Sequence, residues 1–373
     1  MLLRNNLSKI TLLFVIGTIF YSCSLVKRVP VNKKLLTKNE IFVNNKIIKE
    51  DRINNIVIQQ PNTKFLNYPF GLLLYNSAKK NPDSSYQAWL TRKPNRIKNL
   101  NRLLSAKQVK RLGNSFFVRG LPKFMKETGE APVIIDEKKA LRSKERLRVY
   151  YFNNGFVRNE VELSIDSLGD KKGKAVYRVT TGKPYFIDTI SKFIETPVID
   201  SLYSSKEKST LIKRGAQYNS TIFENERKRI TQYLRNNGVY HFQESNVKYD
   251  AIYDDSTQKM NINLKIENRF VKDGDTLVKK PFSIYTISQV NIFTNNTSKR
   301  ERNQFNDSTT YKNFNIFSSG KLKYKPKAIT DAIFIEKGKI FSDNDRTLTF
   351  KSLSNLKVFN YPNIEYIEDT RDS

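Results

Sequence analysis

Apolar and polar positions follow two different periods along this chain, and the two periods occur one after the other. Phe223, Ile230, Tyr233 and Leu234 share one face at the spacing of an α-helix. Downstream, every second residue of 260–267 is apolar, which is the period of a half-buried β-strand. The pattern therefore predicts a helix followed by at least one strand of a small sheet.

The same order of elements occurs twice. The segment ERLRVYYFNNGFV begins at Glu145 and KRITQYLRNNGVY begins at Lys228, an offset of 83 residues. In both segments an Asn-Asn pair precedes a glycine, Gly155 or Gly238, which we expect to stop the helix as a left-handed C′ residue. Each helix is followed by two predicted strands: 161–167 and 174–180 after the first, and 247–253 and 260–267 after the second.

Upstream patterns extend each segment to a β-α-α-β-β repeat. Strands are predicted at 40–43 and 185–194, and an additional helix at 200–213. A third, weaker repeat is predicted from a strand at 283–294, helices at 326–335 and 346–355, and a last strand at 364–367. In it, Gly338-Lys339-Ile340-Phe341 mirrors Gly215-Ala216-Gln217-Tyr218 of the second repeat.

The first repeat is oversized, because residues 61–135 are additional. This insertion contains Trp89, the only tryptophan, and two predicted basic helices at 95–104 and 105–112. The resulting organisation is a signal peptide (1–22), a tether (23–33), a first repeat with the insertion (34–184), a second repeat (185–270) and a third repeat (283–373).

The amino terminus has the pattern of an export signal. Arg4 and Lys9 precede an apolar run at 10–20 that is too short to span a bilayer. Ser22 precedes Cys23, the only cysteine, and this arrangement resembles a bacterial lipobox, although Phe20 and Tyr21 differ from its usual pattern. We therefore expect cleavage between Ser22 and Cys23 and lipidation of Cys23. An ordinary signal peptide and a short uncleaved anchor are the alternatives.

Composition excludes several kinds of chemistry. One cysteine and one histidine among 373 residues exclude a disulfide framework and the Cys- and His-based zinc motifs. His241 has no nucleophile arrangement around it in the sequence, so we expect no catalytic residues, no metal and no cofactor. The net charge of +30 is typical of nucleic-acid binders, but an export signal opposes that function. Solvated helix faces, anionic lipid headgroups and acidic partners remain as explanations of the charge.

The repeat resembles the POTRA domain of the BamA/TamA outer-membrane assembly superfamily. The insertion, with Ser22-Cys23-Ser24 and Val29-Pro30, resembles the lipoprotein form of the translocation and assembly module of Bacteroidota (TamL-like). This resemblance implies an α+β fold of tandem POTRA domains. The family continues into a carboxy-terminal transmembrane β-barrel, whereas this sequence stops at Ser373, so we expect no transmembrane barrel in this chain.

The resemblance also implies a function without enzymatic activity. It implies a lipid-anchored, periplasm-facing outer-membrane protein whose partners are nascent outer-membrane proteins, a TamB-like inner-membrane-anchored protein and outer-membrane lipids, and not nucleic acid. An exposed sheet edge can accept an extended peptide by β-augmentation. The candidate docking residues on the two predicted edge strands are Val161, Leu163, Ile165, Val247, Tyr249 and Ile252. A plain periplasmic scaffold lipoprotein, and the POTRA part of the main barrel-assembly subunit, are the alternatives.

Overall fold

A computed structural model describes residues 25–294, 305–359 and 362–369. Cys23 and Ser22, the predicted lipidation and cleavage residues, lie outside the described residues. The described residues form two compact units, one holding 25–152 together with 156–183, the other holding 153–155 and the described residues from 184 onward. Each combines helices with small sheets, so the predicted α+β class is confirmed. No helix in the described part of the chain has both the length and the apolar content to cross a membrane.

The first compact unit contains a four-stranded sheet in the order β2-β1-β4-β3. Its elements are β1 (Leu35–Val43), β2 (Lys46–Ile48), α1 (Asp51–Asn54), α7 (Glu137–Asn153), β3 (Glu160–Ser167) and β4 (Lys172–Thr180). β1 runs parallel to β4, and β3 runs antiparallel to β4. Leu147 and Tyr151 of α7 are buried against the sheet residues Ile41 and Tyr177 in one core. β2 was not predicted from the sequence. It follows a tight turn at Asn44 and Asn45, both with positive φ.

The insertion forms a helical subdomain within the first compact unit. It consists of α2 (Phe70–Ser77), α3 (Pro82–Thr91), α4 (Arg96–Leu103), α5 (Ala106–Gly113), a π-helical turn (Phe116–Gly120) and α6 (Leu121–Thr128). The two predicted basic helices are α4 and α5, and Ser105 begins α5 with a reciprocal capping box to Gln108. Tyr86, Leu90 and Val109 form its small core.

The second repeat has a three-stranded sheet in the order β5-β7-β6. Its elements are β5 (Phe186–Ile194), α8 (Pro197–Ser205), α9 (Ser220–Asn236), β6 (Val247–Asp254) and β7 (Lys259–Ile266). β5 is parallel and β6 antiparallel to β7, so this sheet has the pairing of β1, β4 and β3 in the first repeat. The helix predicted at 200–213 is wrong in its bounds, because α8 begins at Pro197 and the chain leaves the helix after Ser205.

A two-stranded ribbon that the sequence did not predict follows the second repeat. β8 (Arg269–Asp273) pairs antiparallel with β9 (Thr276–Lys280). Only its turn, at Asp273-Gly274-Asp275, was recognisable from the sequence.

The third repeat differs from its prediction. The strand predicted at 283–294 is reduced to β10 (Val290–Thr294), and β11 (Asp307–Tyr311) and β12 (Phe314–Ser318) were not predicted. β12 lies between β10 and β11, parallel to β10, although it comes before α10 (Pro326–Thr330) and α11 (Asp343–Asn355) in the chain. The predicted strand at 364–367 is wrong: this segment is not in a sheet, and the ring of Tyr366 packs instead on Tyr240 and Phe341.

Candidate peptide-docking edges

The two strands proposed from the sequence as docking edges both lie at an edge of a sheet. β6 has β7 as its strand neighbour, and β3 has β4, within the sheets of the described chain. The full length of each is paired on one side, from Val247 to Asp254 and from Glu160 to Ser167. A strand paired on one side presents its other row of N–H and C=O groups outward, where an extended peptide can add.

β6 changes character halfway along. Val247 is 2% exposed and faces the core of the second repeat, and Tyr249 is half-buried. From Asp250 to Asp254 every residue is exposed, with Ile252 at 71%. The second half of β6 is therefore exposed along its length, with the apolar side chain of Ile252 in solvent.

β3 is more protected. Val161 is 2% exposed, and Leu163 and Ile165 are half-buried, as are Ser164 and Asp166 between and after them. The structure thus places all six candidate residues on edge strands. It buries Val161 and Val247, so those two side chains hold their strands to the core, and Ile252 is the most exposed of the six.

Ion pairs run across the β6–β7 pair. Nζ of Lys248 lies 2.9 Å from a carboxylate oxygen of Glu267, and Nζ of Lys265 lies 2.5 Å from Asp250. The hydrogen bond from Lys248 holds the pKa of Glu267 below its ordinary value, and the one to Asp250 raises the pKa of Lys265. At the turn after β6, hydrogen bonds from Ser256 and Thr257 lower the pKa of Asp254 to about 2. The edge therefore carries both signs of charge at neutral pH.

The second helix of each repeat carries a buried polar side chain that was not predicted from the sequence. This side chain holds the helix to a backbone N–H group upstream of it. The oxygens of Ser143 on α7, Glu226 on α9 and Thr349 on α11 are acceptors for backbone N–H groups of Ile58, Leu211 and Phe334, at 3.0, 3.0 and 2.9 Å. All three side chains are buried. Ser143 and Glu226 are separated by the same 83 residues as the Asn-Asn-Gly segments. Aligning the repeats around that motif would have identified them.

Glu226 is the charged member of this set. Burial raises the pKa of its carboxyl group, but hydrogen bonds from Arg229 and from the Leu211 N–H outweigh burial, so the pKa lies below its ordinary value. The nearest oxygen–nitrogen distance to Arg229 is 2.7 Å. This pair lies beneath Tyr249, whose ring contacts Phe223 and whose pKa is raised by burial. The buried end of β6 is thereby supported by α9.

The two Asn-Asn-Gly segments make the same contact with the first residues of the next repeat. The carbonyl of Gly155 accepts the N–H of Tyr185, and the carbonyl of Gly238 accepts the N–H of Tyr285, both at 2.8 Å. Both glycines lie in the left-handed region, with φ of +91° and +93°. A Cβ on Gly155 would lie 2.8 Å from the Tyr218 carbonyl oxygen, and one on Gly238 would lie 2.5 Å from a methyl of Ile284. Neither position accommodates a side chain without movement.

The loop equivalence predicted from the sequence is confirmed. The N–H groups of Tyr218 and Phe341 bond to the carbonyls of Tyr185 and Tyr285, at 2.9 and 2.8 Å. Gly215 and Gly338 donate to Ile187 and Ile287 at 2.7 Å in both cases. The second and third repeats therefore begin with the same backbone hydrogen bonds between the first segment and this loop, even though their later elements differ.

Comparisons with known proteins give matches in structure only. No protein family and no curated protein matches the chain. The crystal structure of Haemophilus influenzae BamA POTRA3-5 is 12% identical, covers 90% of this chain and 91% of its own, and has a TM-score of 0.37. BamA from Haemophilus ducreyi lacking POTRA domains 1-3 is 16% identical over 38% of this chain and 25% of that one, with a TM-score of 0.28. POTRA1-3 of Omp85 from Anabaena is 11% identical over 65% and 80%, with a TM-score of 0.21.

All three TM-scores are below 0.5. The functional interpretation therefore depends on the strand order, pairing and edge exposure of this chain.

Proposed function

We propose that this chain is the periplasmic POTRA region of an outer-membrane protein assembly factor, and that it binds extended segments of client or partner proteins by β-augmentation on β6. The observation that carries the proposal is the exposed half of β6, Asp250–Asp254, at the edge of a sheet built in β-α-α-β-β order. Two repeats share that order and the parallel pairing of first and last strands.

β6 is a better docking strand than β3 for a physical reason. A partner strand gains main-chain hydrogen bonds along the edge and side-chain contacts on both faces. Ile252 offers such a contact, whereas Leu163 and Ile165 of β3 are already half-buried by their own repeat. The clients in this proposal are nascent outer-membrane proteins, and the partner is a TamB-like inner-membrane-anchored protein.

Site-specific photocrosslinking tests this proposal. A photoreactive residue at Ile252 is expected to crosslink to nascent outer-membrane proteins or to the TamB-like partner in cells. The matched control is Ile190 on β5, an exposed isoleucine on the opposite edge of the same sheet. Equal yields from both positions, or no adduct with either class of protein from Ile252, would contradict docking on β6. A stable protein without such adducts would favour the plain scaffold alternative.

Anchoring forms the second part of the proposal. The chain is cleaved between Ser22 and Cys23 and lipidated on Cys23, which tethers it to the periplasmic face of the outer membrane. Replacing Cys23→Ser should leave the chain unprocessed or release it from the outer-membrane fraction. This part alone would be overturned if the Cys23→Ser variant matched the wild type both in its membrane fractionation and in the processing of its amino terminus. Docking at Ile252 is measured separately.

A further inference from the structure

The insertion exposes apolar side chains at a small hairpin before α2. Phe65 and Tyr68 exchange two backbone hydrogen bonds of 3.0 and 2.9 Å, and the turn between them contains Leu66 at a φ of +48°. Leucine rarely adopts positive φ. Leu66 is 78% exposed and Phe65 68% exposed, and Phe70 stacks at an angle against both Phe65 and Tyr68. We call this set the hairpin cluster.

A second exposed apolar set lies at the π-helical turn and the start of α6. It consists of Phe116, Phe117, Leu121 and Phe124, with Phe117 at 81% exposure. We call this set the π-turn cluster. The chain after α6 is held to α2, because the N–H of Glu130 donates to the carbonyl of Gly71 at 2.9 Å. Both clusters therefore belong to one packed substructure.

The insertion is also strongly basic. Residues 61–135 contain fourteen Lys and Arg residues and three Asp and Glu residues. All three acids are engaged locally, Asp83 by Arg119, Glu127 by Lys123 and Glu130 by the Thr63 N–H. Lys107, Lys110 and Arg111 of α5 are exposed. Exposed aromatic side chains beside many cations are typical of proteins that lie on a membrane surface containing anionic lipid.

Residues 25–29 pack on α2 of this same subdomain. The carbonyl of Leu25 accepts a 2.9 Å hydrogen bond from the Asn76 side chain at the end of α2, and Val29 is buried against Leu72. Arg28 lies over the Tyr75 ring at 4.8 Å. Cys23 precedes Leu25 by two residues, so a lipid on Cys23 is attached at most about 7 Å from Leu25. α2 is about 12 Å long, and the hairpin cluster lies at its other end, so the proposed lipid anchor and the hairpin cluster belong to the same subdomain.

We propose that residues 61–135 form a membrane-surface module that seats on a bilayer containing anionic phospholipid. The hairpin and π-turn clusters enter the headgroup region, and the Lys and Arg side chains pair with lipid phosphates. The tether argument rests on the proposed lipidation of Cys23, whereas the surface argument rests on the described residues alone. The module fixes the first repeat against the membrane, which a single lipid at the amino terminus does not do.

Vesicle sedimentation tests the module without its lipid. The chain 24–373, which lacks Cys23 and so carries no lipid, contains every residue that the structure describes. It is expected to sediment with phosphatidylethanolamine–phosphatidylglycerol vesicles and much less with phosphatidylcholine vesicles, and added salt should weaken the binding. The double variant Phe116→Ser/Phe117→Ser should lose on the order of tenfold in affinity, and Lys110→Glu/Arg111→Glu a comparable factor.

The control removes equally exposed apolar side chains elsewhere. Phe270→Ser/Leu277→Ser changes residues of 67% and 70% exposure on the β8–β9 ribbon and should leave vesicle binding unchanged. The proposal would be overturned if Phe270→Ser/Leu277→Ser weakened vesicle binding as much as Phe116→Ser/Phe117→Ser does. It would also be overturned if the chain did not bind vesicles, or if the clusters mediated self-association without vesicle binding. Crosslinking at Ile252 is measured independently, so its failure would leave this result standing.

Discussion

The two edge strands β3 and β6 occupy equivalent places in their sheets but differ in what surrounds them. Both pair antiparallel with the central strand of a β-α-α-β-β repeat. β3 is half-buried along most of its length, whereas β6 is exposed throughout Asp250–Asp254. Equivalent topology therefore does not give an equivalent docking surface, because the packing around the edge decides which strand a partner can reach.

The largest expected effects come from the central strands, where the two repeats should behave alike. Tyr177 of β4 is opposite Leu163, and Leu264 of β7 is opposite Tyr249, and both central residues are 1% exposed. Tyr177→Ala and Leu264→Ala should each lower the free energy of unfolding by about 3–5 kcal/mol. Urea unfolding measures this. A loss below about 1 kcal/mol at either site would show that the repeat lacks the described core.

The next largest effect distinguishes the charged anchor beneath β6 from the neutral one in the first repeat. Glu226→Ala leaves Arg229 and the Leu211 N–H without their acceptor and should cost about 3 kcal/mol. Glu226→Gln keeps an acceptor and should cost less. Ser143→Ala, the matched change on α7, should cost about 1–2 kcal/mol.

The pH dependence of the Glu226 effect has a defined sign. Its pKa in the folded chain lies below the ordinary value of 4.5, so its contribution is complete above that value and is lost as pH falls through the lowered pKa. The difference in unfolding free energy between wild type and Glu226→Ala should be constant near neutral pH and shrink below about pH 4.5. The Ser143→Ala difference should not change with pH, and a parallel decrease at both sites would contradict this assignment.

Smaller effects are expected at the glycines that precede the two edge strands. Gly155→Ala places a methyl 2.8 Å from a backbone oxygen, whereas Gly238→Ala meets the side chain of Ile284, which can move. We expect losses of about 2–3 and about 1–2 kcal/mol, respectively. Gly274→Ala is the control, since its φ is +60° with no atom within 4 Å, and it should cost about 1 kcal/mol. Thermal unfolding of the three variants measures these losses. A loss for Gly274→Ala as large as that for Gly155→Ala would contradict the prediction.

The first two repeats were largely predictable from the sequence, and the reasons are local. Alternation in 260–267 and the Asn-Asn-Gly stops fix strands and helix ends through neighbouring residues. Both predicted edge strands lie at sheet edges, as the β-α-α-β-β order of each repeat implies. Exposure along β6 was not predictable, because it depends on which side chains of other elements pack on the strand.

The third repeat shows where local patterns are insufficient. β12 alternates buried Phe314, Ile316 and Ser318 with more exposed residues, yet its partner β10 lies across a stretch of chain outside the described residues. The segment 364–367 alternates as a strand does, but Tyr366 packs into the aromatic group of Tyr240 and Phe341 instead. Long-range pairing decided both outcomes, and a single sequence carries little information about it.

The smallest expected effect is also the most direct test of the difference between the edges. Ile252→Lys places a charge on a side chain that is already 71% exposed, so the free energy of unfolding should change by less than about 0.5 kcal/mol. Ile165→Lys requires a half-buried position of β3 to accept the charge and should cost about 1 kcal/mol or more. Binding should reverse this order, because Lys at 252 removes the apolar contact offered to a docked strand while leaving the repeat folded. Equal stability losses at the two positions, measured by urea unfolding, would mean that β6 is as protected as β3, and the preference for β6 as the docking edge would then fail.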